Sequence, residues 1–76
     1  MENRFIELFK ETLEIEEDKV NLETVFRELD EWDSLAFLSV IAMIDEEYDI
    51  VIEGNDFKKL ITISDLIEEI KKEKNK

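Results

Sequence analysis

Residues 30–48 have the sequence DEWDSLAFLSVIAMIDEEY, and this stretch decides the expected fold. Asp33 is a favourable N-cap, so we expect a helix that begins at Ser34 and ends at Tyr48. Its apolar residues form two stripes: an inner stripe of Phe37, Val40, Ile41, Ile44 and Tyr48, and an outer stripe of Leu35, Leu38 and Ala42. A small domain cannot easily bury both stripes. We therefore expect the outer stripe to be partly exposed and available to a partner.

The rest of the chain predicts three further helices. Residues 2–15 have an amphipathic pattern whose apolar face contains Phe5, Leu8, Phe9 and Leu13. Residues 56–61 favour a short helix. Residues 63–73 favour a last helix, whose apolar positions are Ile63, Leu66, Ile67 and Ile70. Thr62 is a plausible N-cap for this helix, and Asp65 can complete a capping box with it.

The chain between the first two helices lacks a clear periodicity. In residues 16–32 the apolar residues are spaced irregularly among acidic ones. We expect an ordered loop whose apolar side chains hold it against the core, and a short helical turn at residues 21–26 is the alternative. The complete pattern predicts a single all-α domain over residues 1–76. Its architecture is a four-helix bundle with three longer helices, one short helix and a long first loop.

The composition excludes several classes of function. The chain contains no histidine and no cysteine, which excludes histidine-dependent catalytic triads, HExxH zinc sites and disulfides. Its 22 acidic and 10 basic residues give a net charge of −12, which disfavours nucleic acid and anionic membranes and favours basic protein partners. Charge repulsion predicts a monomer. No secretory signal and no apolar run of membrane-spanning length is present, so we expect a cytoplasmic location without membrane insertion.

The charges are unevenly distributed. Between Arg27 and Lys58 there is no basic residue, and the acidic residues are Glu28, Asp30, Glu31, Asp33, Asp45, Glu46, Glu47, Asp49, Glu53 and Asp56. Several of these acids have the spacing of a calcium-binding loop. However, Ile50 occupies the position where such a loop needs glycine, so no metal site is predicted.

Ser34 is the candidate for chemical modification. The first turn of a helix offers free N–H groups and a positive potential, which favour an attached phosphate. Ser34 has no histidine or lysine neighbour in sequence that could activate it, so it is not expected to act as a nucleophile by itself. An outside enzyme would have to supply the chemistry. From position alone, an ordinary helix-start serine is the commoner interpretation.

The stretch DSLAFLSVIAMIDEEYDIVI, followed by ITISDLIEEI, resembles the acyl carrier proteins, in particular the freestanding type. The resemblance covers essentially the whole chain. It implies that Ser34 receives a 4′-phosphopantetheine arm from coenzyme A through a phosphopantetheinyl transferase, and that Asp33 and Leu35 are the motif flanks that the transferase recognises. The thiol of the arm would carry acyl groups as thioesters. The protein would then be a carrier and not an enzyme, with no catalytic residues of its own.

The same resemblance implies a docking surface on the central helix. Leu35, Leu38 and Ala42 match apolar docking positions, and Asp45, Glu46 and Glu47 match acidic positions that dock on basic patches of acyl-chain synthases, ligases or transferases. The chain departs from the primary fatty-acid type at Trp32, Ala36, Phe37 and Ser39. These departures favour a specialised acyl or polyketide-type pathway over housekeeping fatty acid biosynthesis. The alternatives are a stand-alone aminoacyl or peptidyl carrier, and an acidic helical adaptor without a prosthetic group.

Two aromatic residues near Ser34 have more than one interpretation. We expect Trp32 to be a half-buried anchor for the loop, with a partner contact or a lid as the alternatives. We expect Phe37 to fill the core, with the lining of an acyl cavity as the alternative.

Overall fold

The computed structural model describes residues 2–16 and 18–75. Its helices are α1 (Glu2–Thr12), α2 (Ser34–Tyr48), α3 (Gly54–Phe57) and α4 (Ile63–Lys74), and a 3₁₀ turn occupies Phe26–Glu28 between α1 and α2. Within the described residues there is no β-strand, only an isolated antiparallel bridge between Val25 and Thr62. The predicted all-α bundle, with three longer helices and one short helix, is confirmed.

Helix α2 has the bounds that its sequence predicts, because both of its ends are fixed by local interactions. At the start, the Asp33 carboxylate accepts a hydrogen bond from the Ala36 N–H at 2.8 Å, which is the geometry of an N-cap. At the end, Asp49 adopts a left-handed conformation with φ of 57°, and its N–H donates to the Asp45 carbonyl at 2.9 Å. The left-handed residue stops the helix.

Helix α1 ends at Thr12, whereas the apolar pattern predicted a helix to residue 15. Glu14 has φ of 57°, a left-handed conformation that ends helical hydrogen bonding. The Ile15 N–H then donates a hydrogen bond to the Lys10 carbonyl at 2.8 Å. Ile15 is buried, so its apolar character belongs to the turn after α1 and not to another turn of helix.

The prediction for the short helix was wrong in its bounds. It placed the helix at residues 56–61, and α3 instead occupies Gly54–Phe57. The N–H groups of Ile61 and Thr62 donate to the Asp65 carboxylate at 2.9 and 3.1 Å rather than to carbonyls four residues earlier. These two N–H groups are therefore bound to the start of α4 and do not form the hydrogen bonds that a longer α3 would need.

The core is formed by one face of each longer helix together with the connecting segments. Its largest fully buried side chains are Phe5, Phe9, Phe26, Phe57, Val40, Ile44, Ile63, Leu66, Ile67 and Ile70. Ala36 and Met43 of α2 are buried as well, whereas the inner-stripe residues Phe37, Ile41 and Tyr48 are only partly buried. The buried arc of α2 is thus rotated relative to the predicted inner stripe.

The long first loop is ordered, as expected, and hydrogen bonds hold it to the start of α4. The Ile63 N–H donates to the Thr24 carbonyl at 3.0 Å, and the Ser64 N–H donates to the Leu22 carbonyl at 2.9 Å. The alternative of a helical turn at residues 21–26 was wrong in position, because the 3₁₀ turn starts at Phe26. Residues 21–24 instead form a turn that the side chain of the first residue, an asparagine, closes by accepting from a backbone N–H at 2.9 Å.

Trp32 anchors the end of this loop in an aromatic cluster. Its ring lies nearly parallel to those of Phe9 and Phe57, with centroid separations of 6.4 and 6.1 Å. Phe26 meets it edge-on at 4.9 Å. Offset and edge-on contacts of this kind add to the free energy gained by burying the rings. Trp32 is half-buried and packs against the core, which confirms its interpretation as a loop anchor.

The capping box at the start of α4 leads to a pH-dependent prediction. Hydrogen bonds from the Thr62 and Ile61 N–H groups lower the pKa of Asp65 below its ordinary value of 3.8. A lowered carboxyl pKa stabilises the fold above the unfolded pKa, and this stabilisation is lost as pH falls through the folded pKa. We expect Asp65→Asn, which keeps an acceptor but removes the charge, to reduce stability by about 0.3–1 kcal/mol at neutral pH.

Urea unfolding of both proteins across the acidic range measures this effect. The stability difference between wild type and Asp65→Asn is expected to decrease as pH falls below the ordinary aspartate pKa and to disappear below the lowered pKa of folded Asp65. Glu68→Gln, on an exposed position of the same helix, is the control and is expected to show a smaller difference. A difference that stays constant with pH would contradict the role of the Asp65 charge.

Candidate functional site

Ser34 is the first residue of α2 and lies exposed at the surface. Because Asp33 supplies the N-cap hydrogen bond, the Ser34 hydroxyl is not needed to hold the helix start. The first N–H groups of α2 still provide a positive potential at this point. The chain thus presents a hydroxyl in an environment that suits a phosphoester.

A groove opens beside this hydroxyl, and we call it the Ser34 groove. It has a volume of about 600 Å³ and is lined by Arg27, Trp32, Asp33, Ser34, Phe37, Gly54, Phe57 and Lys58. Three elements form it: the 3₁₀ turn, the start of α2, and α3. Phe37 meets Phe57 edge-on at 5.0 Å, so Phe37 lines the groove in addition to packing on the core. The expectation of a simple core role for Phe37 is therefore incomplete.

Arg27 is fixed in the wall of the Ser34 groove. Its guanidinium donates to the Phe57 carbonyl at 2.7 Å and also to the Leu60 carbonyl. The same group lies over the rings of Phe26 and Phe57, 4.8 and 5.6 Å from their centroids. These contacts join the first loop to the end of α3 and hold a positive charge at the groove.

Glu31, the residue before Trp32, forms an ion pair within the first loop. Glu31 accepts a hydrogen bond from the Lys19 ammonium at 2.9 Å. This hydrogen bond holds the pKa of the Glu31 carboxyl below its ordinary value. The pair ties the start of the long loop to its end, next to Trp32, and so helps to fix the wall of the groove.

The residues of the outer stripe form an exposed apolar surface next to Ser34. Leu35 and Leu38 are 73% and 58% exposed, and Ala42 is exposed as well. The expectation that this stripe is exposed is confirmed. Asp45 and Glu46 continue the same face of α2, because they lie three and four residues beyond Ala42.

Glu47 differs from its two acidic neighbours. Its carboxylate lies 3.4 Å from the Arg4 guanidinium on α1, which places it on the side of α2 that faces α1. The two side chains are 67% and 38% exposed, so this ion pair contributes little stability. The structure thus brings Leu35, Leu38, Ala42, Asp45 and Glu46 onto one surface, and it places Glu47 beside that surface.

Sequence reasoning missed Arg27 and Lys58 as members of the site. They are distant in sequence, and only the fold brings both to the Ser34 groove. A signal was present, since these two residues bracket the stretch without basic residues. Nothing in their local pattern indicated that they would lie together.

The lining of the groove suits binding better than catalysis. The Asp33 carboxylate already accepts the capping hydrogen bond, and the nearby cations are poor proton acceptors.

Among residues 2–16 and 18–75, no group of three or more acidic side chains is placed to hold a metal ion. None of the described helices is long and apolar enough to cross a membrane.

The chain thus combines an exposed serine at a helix start, an acidic helix face and a small α-helical bundle. The sequence matches the family described as "Phosphopantetheine attachment site" over residues 3–70. The chain belongs to this family of phosphopantetheine-dependent carrier proteins. Its members bear a covalent 4′-phosphopantetheine arm and are non-catalytic carriers that a phosphopantetheinyl transferase modifies. The predicted cofactor and the prediction of a carrier that is not an enzyme are confirmed.

Proposed function

We propose that Ser34 bears the phosphopantetheine arm and that the protein carries acyl groups as thioesters on it. The main observation is the placement of Ser34: its exposed hydroxyl begins α2, next to the groove, and the neighbouring Asp33 takes over the capping role. The transferase can reach such a hydroxyl without unfolding the helix. The phosphate of the arm would then lie near the positive end of the α2 dipole.

The other hydroxyl groups are less suitable acceptors. Thr24 Oγ1 donates to the Lys19 carbonyl at 3.3 Å, and Thr62 Oγ1 accepts from the Asp65 N–H at 3.2 Å. Ser39 is exposed, but it lies inside α2, where backbone N–H groups are engaged in helical hydrogen bonds. Among the hydroxyl-bearing residues that the structure describes, only Ser34 combines exposure, a helix start and a groove.

We further propose that the outer stripe, with Asp45 and Glu46, docks on partner enzymes. A carrier must meet several enzymes and leave each one quickly. Long-range attraction between acidic and basic surfaces raises association rates without requiring tight binding, and a small apolar patch supplies orientation. The partners proposed are acyl-chain synthases, ligases or transferases with basic docking patches. Glu47 would contribute to the field of this surface more than to direct contact.

The pathway proposed is a specialised acyl or polyketide-type pathway, served by a monomeric carrier in the cytoplasm. The exposed apolar side chains on the docking face beside Ser34 support this proposal, because they make that face less charged than expected for the primary fatty-acid type. Mass spectrometry of the protein isolated from its native cells identifies the group on the arm. An acyl thioester is expected, and an aminoacyl thioester would overturn this part of the proposal.

The attachment site is tested by loading the protein in vitro. The apo protein is incubated with coenzyme A and a broad-specificity phosphopantetheinyl transferase, and its intact mass is measured. We expect a gain of one phosphopantetheine in wild type and in the control Ser39→Ala, and no gain in Ser34→Ala. Circular dichroism establishes that both variants are folded.

Two outcomes would overturn the assignment. Loading of Ser34→Ala would place the arm on another residue. Absence of loading in wild type, under conditions that load a known carrier, would favour the acidic adaptor without a prosthetic group.

A further inference from the structure

The two basic residues of the Ser34 groove have no acidic partner among the described residues. Arg27 and Lys58 both line the groove, and within the described part of the chain neither forms an ion pair with a carboxylate. Other basic residues do form ion pairs, such as Arg4 with Glu47 and Lys71 with Glu2. Although the chain has a net charge of −12, the groove is lined by two cations and one carboxylate, that of Asp33, and this balance favours an anionic occupant.

The two cations differ in a way that suits a phosphate diester. Arg27 is held by two carbonyls and by the ring of Phe57, so its planar guanidinium is preorganised and still has N–H groups that these bonds do not use. Lys58 is exposed at the end of α3, and its ammonium is a mobile point charge that can follow a ligand. Together they offer a fixed donor and an adjustable one.

The remainder of the groove is mainly aromatic. Trp32, Phe37 and Phe57 provide apolar surface in the same lining as the two cations and Ser34. A phosphopantetheine arm has matching groups: a singly charged phosphodiester at the serine, and then a branched apolar segment with two methyl groups. The occupant that this groove fits is therefore the arm attached at its own edge.

We propose that the Ser34 groove holds the proximal part of the arm when no partner enzyme is bound. Arg27 and Lys58 neutralise the phosphodiester, and the dimethyl segment packs against Trp32 and Phe37. This inference depends on the proposed attachment at Ser34. It adds a resting position in which the arm covers one wall of the groove instead of extending freely into solvent. A partner enzyme must then draw the arm out of the groove before it can react.

The single tryptophan of the chain allows a direct test, because all indole fluorescence comes from Trp32. Quenching by acrylamide, a neutral molecule, is measured for the apo protein and for the protein loaded with an unacylated arm. We expect the arm to protect Trp32, so that quenching falls on loading. Lys58→Ala is expected to lose much of this protection. Lys59→Ala is the matched control, since Lys59 is exposed beside Lys58 but does not line the groove.

Intact mass measured on the same samples separates the two proposals. If Ser34 is not loaded, the attachment proposal and the groove proposal both fail. If Ser34 is loaded and quenching is unchanged, only the groove proposal fails. Equal protection in wild type and Lys58→Ala would overturn the role of Lys58 as a phosphate partner. Phosphorus NMR gives a second readout, in which the phosphodiester resonance of the loaded protein is expected to shift in Lys58→Ala and not in Lys59→Ala.

Discussion

Replacing Phe26 with alanine is expected to cost about 3–5 kcal/mol of the free energy of unfolding. Phe26 is fully buried and lies edge-on to both Trp32 and Phe57, at centroid separations of 4.9 and 5.5 Å. Its removal leaves a cavity at the point where the first loop and α3 meet. Small domains have a total stability of about 5–15 kcal/mol, so the variant would be near the limit of folding.

Urea unfolding followed by circular dichroism measures this loss, and Val51→Ala is the control. Val51 is 66% exposed, so its truncation is expected to change stability by no more than about 0.5 kcal/mol. A loss in Phe26→Ala as small as that in Val51→Ala would contradict the central role of the aromatic cluster. Tryptophan fluorescence gives an independent check, because Trp32 should become more exposed when Phe26 is truncated.

Reversing the charge of Asp45 and Glu46 is expected to have the largest effect on function. We expect Asp45→Lys with Glu46→Lys to lower the second-order rate of loading by the transferase about tenfold or more at low salt. The two acids continue the exposed face of the outer stripe. A reversed charge there would repel a basic partner surface and prevent the orientation that brings Ser34 to the enzyme. Steady-state kinetics at several carrier concentrations gives the rate.

A matched double variant controls for net charge. Glu7→Lys with Glu11→Lys makes the same total change on exposed positions of α1, and we expect a much smaller effect. The difference between the two double variants should diminish as salt is added, because the Debye length shortens. Equal rates for both would mean that overall charge, and not this face of α2, governs the encounter.

The parts of the fold that could be predicted are those with local causes. The bounds of α2 follow from a side-chain cap at Asp33 and from the apolar run behind it. The start of α4 follows in the same way from Thr62, whose capping box forms as expected. The ends of α1 and α3 were predicted incorrectly. A left-handed Glu14 stops α1, and neighbouring segments compete for the hydrogen bonds that would extend α3. Apolar periodicity contains neither kind of information.

The candidate site also has a part that could be predicted from the sequence and a part that could not. Ser34 and the exposure of the outer stripe could be predicted, because helix starts and helix faces are visible in a short window of sequence. The cations of the groove could not, since Arg27 and Lys58 meet only after α3 packs against the first loop. The rotation of the buried arc of α2 toward Ala36 was also missed. It depends on where the neighbouring elements lie and not on the sequence of α2.

The hydrogen bonds between the first loop and the start of α4 have a consequence for the order of folding. They join Thr24 to Ile63 and Leu22 to Ser64, residues that are far apart in the chain. The entropic cost of closing this long segment comes before the contacts that reward it. The helices can form from nearby residues, whereas the hydrogen bonds of Leu22 and Thr24 need α4 to be present. We therefore expect this part of the first loop to be among the last parts of the molecule to assemble, after the helices have formed.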